Sequence, residues 1–272
     1  MFRNMRFGLL AKFGYAARGA VFLMVAGLAV FSGIAAGRPE AKSALSALLE
    51  QPFGRLWVGS IGLGLLGFVA WRLAQSITDA DGHGDDGKAI AIRAALFGSA
   101  VTYLGLSSFA LEHAFTAGAG GGGSGEKDMA AWVMSQPFGS YIAIAIGVGF
   151  IVGGIVTAAK GATRGFEKYV RVPGRTRMLG YVCMYGLISR GIVFAITGIL
   201  FAYAGFSVDP DQAGGIAEAL QWLRQLPFGS FLYIVIAVGL AAFGIYNLIA
   251  ARYRIVRGPT MAHVKHAARS KL

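Results

Sequence analysis

Six long stretches of this sequence, 14–36, 54–77, 91–114, 138–160, 181–206 and 228–251, are apolar almost throughout and nearly free of charge. A helix crossing the hydrocarbon core of a bilayer needs about 20 mainly apolar residues, and each stretch supplies them. Few folds are then open, because lipid offers no partners to backbone N–H and C=O groups. Spanning segments must be helices or strands of a closed barrel. Barrel strands are short and alternate between polar and apolar residues, and these runs do neither. Composition agrees: 56% of residues are hydrophobic and 14% charged, with a mean hydropathy of +0.60, where a soluble domain carries roughly 25% charged residues. A disordered chain is excluded by the same figures, and a disulfide scaffold by Cys183 being the one cysteine. The sequence predicts an all-α membrane protein with six transmembrane helices.

The first stretch has features of a signal peptide, with Arg3, Arg6 and Lys12 before it and Ala35-Ala36 after. Its apolar run, 19–37, is longer than the 7–15 residues of a signal core, so it is expected to remain as a span. With a cytoplasmic N-terminus the inside segments are 1–13, 78–90, 161–180 and 252–272. Of 25 Lys and Arg, only Arg38, Lys42, Arg55, Lys127 and Arg224 fall outside. That asymmetry predicts both termini in the cytoplasm and accounts for most of the net charge of +12. The tail, with Arg252, Arg254, Arg257, Lys265, Arg269 and Lys271, is expected against anionic lipid headgroups; no nucleic-acid partner is expected.

Internal repetition organises the chain. Pro-Phe-Gly occurs at Pro52-Phe53-Gly54, Pro137-Phe138-Gly139 and Pro227-Phe228-Gly229, at spacings of 85 and 90 residues. Upstream stands a second marker, an Arg, a small residue, two apolar residues and a Phe: Arg18 to Phe22, Arg93 to Phe97, Arg190 to Phe194. Twelve residues after each Pro comes a glycine: Gly64, Gly149 and Gly239. Each unit reads as a helix entering at the Arg, a short amphipathic outer helix (41–51, 128–136, 214–226), and a return helix with Pro in its first turn. In the outer helices Leu45, Leu48 and Leu49 are expected to share one face, and Leu220 and Leu223, with Trp222 joining them, another. The units span 12–79, 88–165 and 181–255, with a basic tail at 256–272. All three run in the same direction. A pseudo-threefold bundle of three hairpins is the expected arrangement, a linear one the alternative.

With its Arg-Gly-X-X-Phe entries, Pro-Phe-Gly returns and Asp-rich first cytoplasmic loop, the chain resembles the bacterial domain-of-unknown-function family 1206 over roughly 12–255. Unit two departs from the pattern, with Ala94 in place of Gly and a glycine insert at 118–125. The resemblance implies a multi-pass membrane protein of the bacterial cytoplasmic membrane, built from one unit repeated three times. It implies no activity and no catalytic residue.

Among candidate site residues, Arg18, Arg93 and Arg190 come first. Around one axis they would form a guanidinium ring near the cytoplasmic face, able to hold an anion or a phosphate-bearing headgroup; otherwise each marks a helix end and snorkels to the interface. Gly64, Gly149 and Gly239 are expected to pack helices closely, with Ser60, Ala145 and Gly153 extending the stripe. The loop 79–87 reads as a solvated linker, lacking the closing Glu of a calcium loop. Glu112 and His113 read as interfacial, Trp71 and Arg72 as an interfacial anchor, and the terminal Ser270-Lys271-Leu272 as a coincidental match to a targeting signal. No enzyme motif, metal-ligand spacing or cofactor fingerprint is present. The sequence therefore predicts an accessory or membrane-organising protein that binds lipids or a partner complex. The alternative is a pore or transporter for a small solute or anion.

Overall fold

The computed structural model describes residues 2–32, 41–79, 84, 86–116, 125–170 and 177–253. Its long elements are helices: α1 (Phe2–Ser32), α3 (Gly54–Thr78), α4 (Gly87–Phe115), α6 (Gly139–Ala162), α7 (Arg177–Ser207) and α9 (Gly229–Tyr253). All six are long and apolar enough to cross a membrane. The short helices α2 (Ala41–Leu49), α5 (Gly125–Met134) and α8 (Ile216–Arg224) lie between the two long helices of each unit. Leu45, Leu220 and Leu223 are buried, as the amphipathic pattern of these segments requires; Trp222 is exposed, a correction to its place on the Leu220 face. The glycine insert before Gly125, the loop residues 80–83 and 85, and the tail beyond Tyr253, Ser270-Lys271-Leu272 included, lie outside the described residues.

The three Pro-Phe-Gly segments fold alike. The amide of Gly54 donates to the Gln51 carbonyl at 2.8 Å, that of Gly139 to Gln136 at 2.9 Å, and that of Gly229 to Leu226 at 2.8 Å. Each is a four-residue turn with Pro second and Phe third. The Phe residues have φ of 58°, 60° and 59° at Phe53, Phe138 and Phe228. Pro followed by a left-handed residue is the type II turn signature. Pro thus stands in the turn ahead of the return helix, a correction to its expected place in the first helical turn; Phe53 and Phe138 occupy the N-cap positions of α3 and α6.

Packing departs from three equivalent hairpins. The second long helix of each unit packs on the first of the next, as α3–α4, α6–α7 and, joining the ends, α9–α1. Within units, α1 packs on α3 and α7 on α9, whereas α4 and α6 are not among the packed pairs of described residues. The order is a row, α4–α3–α1–α9–α7–α6, and it does not close into a threefold bundle. Burial follows: 11% and 17% of the α4 and α6 spans are buried, against 44–56% for the other four. The α6–α7 joint is built on glycines of both helices. A Cβ placed on Gly154 would lie 2.6 Å from the Gly191 carbonyl oxygen, and one on Gly198 2.6 Å from that of Gly147. Glycines seven apart on α6 interlock with glycines seven apart on α7, and the absent side chains let the backbones touch.

Candidate functional site

In the half of the bundle nearer the chain termini, α1 carries Arg18 about 10 Å along its span from Ala11, at 1.5 Å per residue. Only 4% of Arg18 is exposed, so its charge is held inside the protein and does not snorkel. Its Nε donates to the Tyr103 hydroxyl of α4 at 2.6 Å. The guanidinium carbon stands over four rings from three other helices and its own: Phe68 at 5.0 Å, Tyr103 and Phe243 at 5.1 Å, Phe22 at 5.7 Å. Edge-to-face contacts fix these rings, Phe22 on Phe243 and Phe68 on Tyr103, each at 4.8 Å between centroids. A desolvated cation over an aromatic face gains up to about 2 kcal/mol, whereas burying a charge costs several kcal/mol; the cage offsets part of that cost.

Arg190 of α7 shares two of the same rings. Its guanidinium lies 3.8 Å from the Phe194 centroid, 4.8 Å from Phe243 and 5.9 Å from Phe22. Its buried Nε has no hydrogen-bond partner among the described residues. Arg18 and Arg72 are both near enough to act on it by charge repulsion, and the Tyr103 hydroxyl lies within reach of its guanidinium. Arg72 lies over Phe68 at 4.8 Å and donates to Gln75 Oε1 at 3.0 Å. Among the described residues no carboxylate pairs with Arg18 or Arg190; Arg164 and Glu167 form an ion pair elsewhere, just beyond the end of α6. Arg18 and Arg190 thus share aromatic faces with no carboxylate paired to either among the described residues, and Arg72 stands beside them over Phe68.

Arg93 is not part of this group. Its Nε donates to the Ser76 carbonyl at 2.6 Å and its Nη2 to that of Ile77 at 3.1 Å, while Ser76 Oγ donates back to the Arg93 carbonyl at 2.8 Å. It satisfies the last carbonyls of α3, which have no partner within the helix. The glycines also divide. A Cβ on Gly64 would lie 2.6 Å from that of Ala17, and one on Gly239 would collide with the Ser189 side chain, so both sit at helix contacts. Gly149 and Gly153 have nothing within 4 Å of that position. Two residues along a helix is a rotation of about 200°, so Gly149 faces away from the α7 contact that Gly147 makes. Trp71 is 1% exposed and packs in the core, which corrects its reading as an interfacial anchor. His113 is held within α4, with Nδ1 2.9 Å from the Phe109 carbonyl oxygen. Among the described residues no group of His, Cys, Asp and Glu is arranged to hold a metal ion.

Sequence reasoning read Arg72 only as part of an interfacial anchor and missed Tyr103 and Asn247. The last is fully buried one turn beyond Phe243, with Nδ2 donating to the Phe243 carbonyl at 2.7 Å and Oδ1 without a partner among the described residues. A signal was present: Arg72 and Asn247 stand at the same distance from Pro52 and Pro227.

The family model described as Domain of Unknown Function (DUF1206) matches this chain three times, over residues 13–79, 94–164 and 185–254. The chain belongs to this family. A relative from Bacillus subtilis (strain 168), named "Uncharacterized protein YxxB", is 34% identical over 256 residues, covering 92% of this chain and 90% of the relative. No solved structure matches. For this DUF1206 protein, membership accounts for the threefold repetition and for a multi-pass membrane architecture, and it brings no activity. The Arg18–Arg190 arrangement is a property of the geometry, in which units one and three meet while unit two contributes Tyr103.

Proposed function

We propose that this chain is a multi-pass protein of the bacterial cytoplasmic membrane, termini inside, that organises its surroundings by holding an acidic lipid headgroup or an equivalent anion in the cytoplasmic half of the bundle. One observation carries the reading: Arg18 and Arg190, drawn from the first and third units, stand around shared aromatic rings with no carboxylate paired to either among the described residues. Like charges brought together in a low-dielectric site repel, and an anion bridging them converts that repulsion into attraction. Guanidinium groups present paired N–H donors suited to phosphate oxygens, and the Arg190 Nε is such a donor. The Lys/Arg asymmetry of the sequence supports the orientation. The transporter reading draws less support, because Arg93 is engaged with α3 carbonyls and so does not complete a ring around a lumen.

The test is thermal unfolding of the purified protein in neutral detergent with added phosphatidylglycerol, phosphatidylcholine or inorganic phosphate. A ligand at a hundred times its dissociation constant stabilises by about 2.7 kcal/mol. Phosphatidylglycerol should raise the melting temperature, and Arg190→Met should abolish the rise. An equal rise with inorganic phosphate would make the ligand a free anion. Equal rises with both lipids, or one that survives Arg190→Met, would overturn the proposal.

A further inference from the structure

The three Pro-Phe-Gly turns place an aromatic residue where the backbone argues against one. The third position of a type II turn needs φ above zero and is ordinarily Gly or Asn. Here it is Phe53, Phe138 and Phe228, at φ 58–60°. Left-handed backbone strains any residue with a Cβ, and such strain persists where something else requires it. Packing inside the protein is not the requirement, because the three side chains are 79%, 80% and 86% exposed. Each is followed, within a turn of the return helix, by a second exposed aromatic: Trp57, Tyr141 and Phe231. Neither the turn nor the core explains these residues, and the arrangement is made three times.

We infer that Phe53, Phe138 and Phe228 are membrane anchors that enter the interfacial zone of the leaflet opposite the chain termini. Position supports a lipid occupant over a protein one. Each Phe stands immediately before the first residue of a membrane-spanning helix, Gly54, Gly139 or Gly229, where the hydrocarbon edge must lie. Aromatic side chains gather at that depth. The turn supplies what a helix cannot: it directs the ring away from the bundle at the level where the chain re-enters the membrane. Three such points also hold the outer helices α2, α5 and α8 at that surface, because each helix ends within five residues of its anchoring Phe. The inference is independent of the arginine site on the other side of the membrane.

The experiment uses the full chain in phosphatidylglycerol/phosphatidylcholine vesicles. Single cysteines replace Phe53, Phe138 or Phe228 in a Cys183→Ala background, each carrying a nitroxide whose collisions with oxygen and with a water-soluble nickel complex give its depth. A label at the exposed Asp211 serves as the aqueous control. The three labels should show an oxygen-to-nickel collision ratio several-fold above the control, at a depth just below the phosphates. Ratios equal to the control at any of the three positions would overturn the inference of a triple anchor. Where a labelled variant does not fold, Phe53→Trp, Phe138→Trp or Phe228→Trp, each on a background in which Trp57, Trp71, Trp132 and Trp222 are Phe, gives the same reading. There brominated acyl chains should quench the introduced indole, and its lack of quenching would equally overturn the inference.

Discussion

Gly153 and Gly154 are neighbours on α6, and the structure assigns them opposite sensitivities to one methyl group. A Cβ on Gly154 would stand 2.6 Å from the Gly191 carbonyl oxygen and 2.7 Å from the Ala195 nitrogen, whereas one on Gly153 meets nothing within 4 Å. Both obstructing atoms are backbone, so no rotamer change relieves them, and ordinary contact requires at least 3.4 Å. Gly154→Ala must therefore move α6 and α7 apart by close to an ångström. A gap of that size forfeits a quarter to a half of each dispersion contact along the seam, and overpacking of a tight joint costs about 2 kcal/mol. By the scaling of soluble domains of this size, that is a fall of about 4–8 °C in melting temperature. Gly153→Ala is expected within about 0.5 kcal/mol of wild type, as for other open positions. The assay is the loss of monodisperse protein after heating in mild detergent, read by size exclusion, for wild type and both variants side by side. Equal losses for the two alanines, or a Gly154→Ala protein as stable as wild type, would refute the assigned helix facing. The double variant Gly154→Ala/Gly191→Ala should lose less than the sum of the singles, because both push the same two helices apart.

Two further outcomes follow from the turns and the arginine cage. Gly54→Ala, Gly139→Ala and Gly229→Ala should each destabilise by more than about 2 kcal/mol, since the added methyl falls on carbonyl oxygens of Leu48 and Leu49, Val133, or Arg224. A tolerant member of the three would show that its turn differs from the others. Tyr103→Phe keeps the ring over Arg18 but removes the acceptor of its Nε–H. A cost of about 1.5–3 kcal/mol is expected for this charge-assisted bond, and an unchanged melting temperature would show that the bond is not made.

How much could be read from the sequence divides along a physical line. Span lengths, the outer helices and the recurrence of the turns are local properties, set by hydropathy over some twenty residues and by Pro and Gly at fixed places. Helix facing is not local. A soluble helix announces its buried side by polarity, but a membrane helix is apolar all round, so sequence gave no reason to prefer Gly147 over Gly149. The three arginines illustrate the same limit. Arg18, Arg93 and Arg190 are equivalent by pattern, and they part company because units one and three meet in the row while unit two is split between its ends. The polarity of Trp71 and Arg72 suggested an interface, yet the row buries α3 between two helices and takes Trp71 with it. The left-handed Phe was hidden for a different reason: Pro-Phe-Gly is compatible with several turns, and only the backbone angle distinguishes them.

The separation of α4 from α6 bears on how the polypeptide is held together. The helices α1 to α4 pack among themselves, as do α5 to α9, and the principal packing between the groups is α1 on α9. The covalent link between Phe115 and Gly125 therefore does little that this non-covalent seam does not already do. Two polypeptides, 1–116 and 125–272, produced together should assemble in the membrane and travel as one species. Arg18 on one fragment and Arg190 on the other would then face each other across a true subunit interface. One chain thus carries, in its α1–α9 seam, the kind of contact that would otherwise join two subunits.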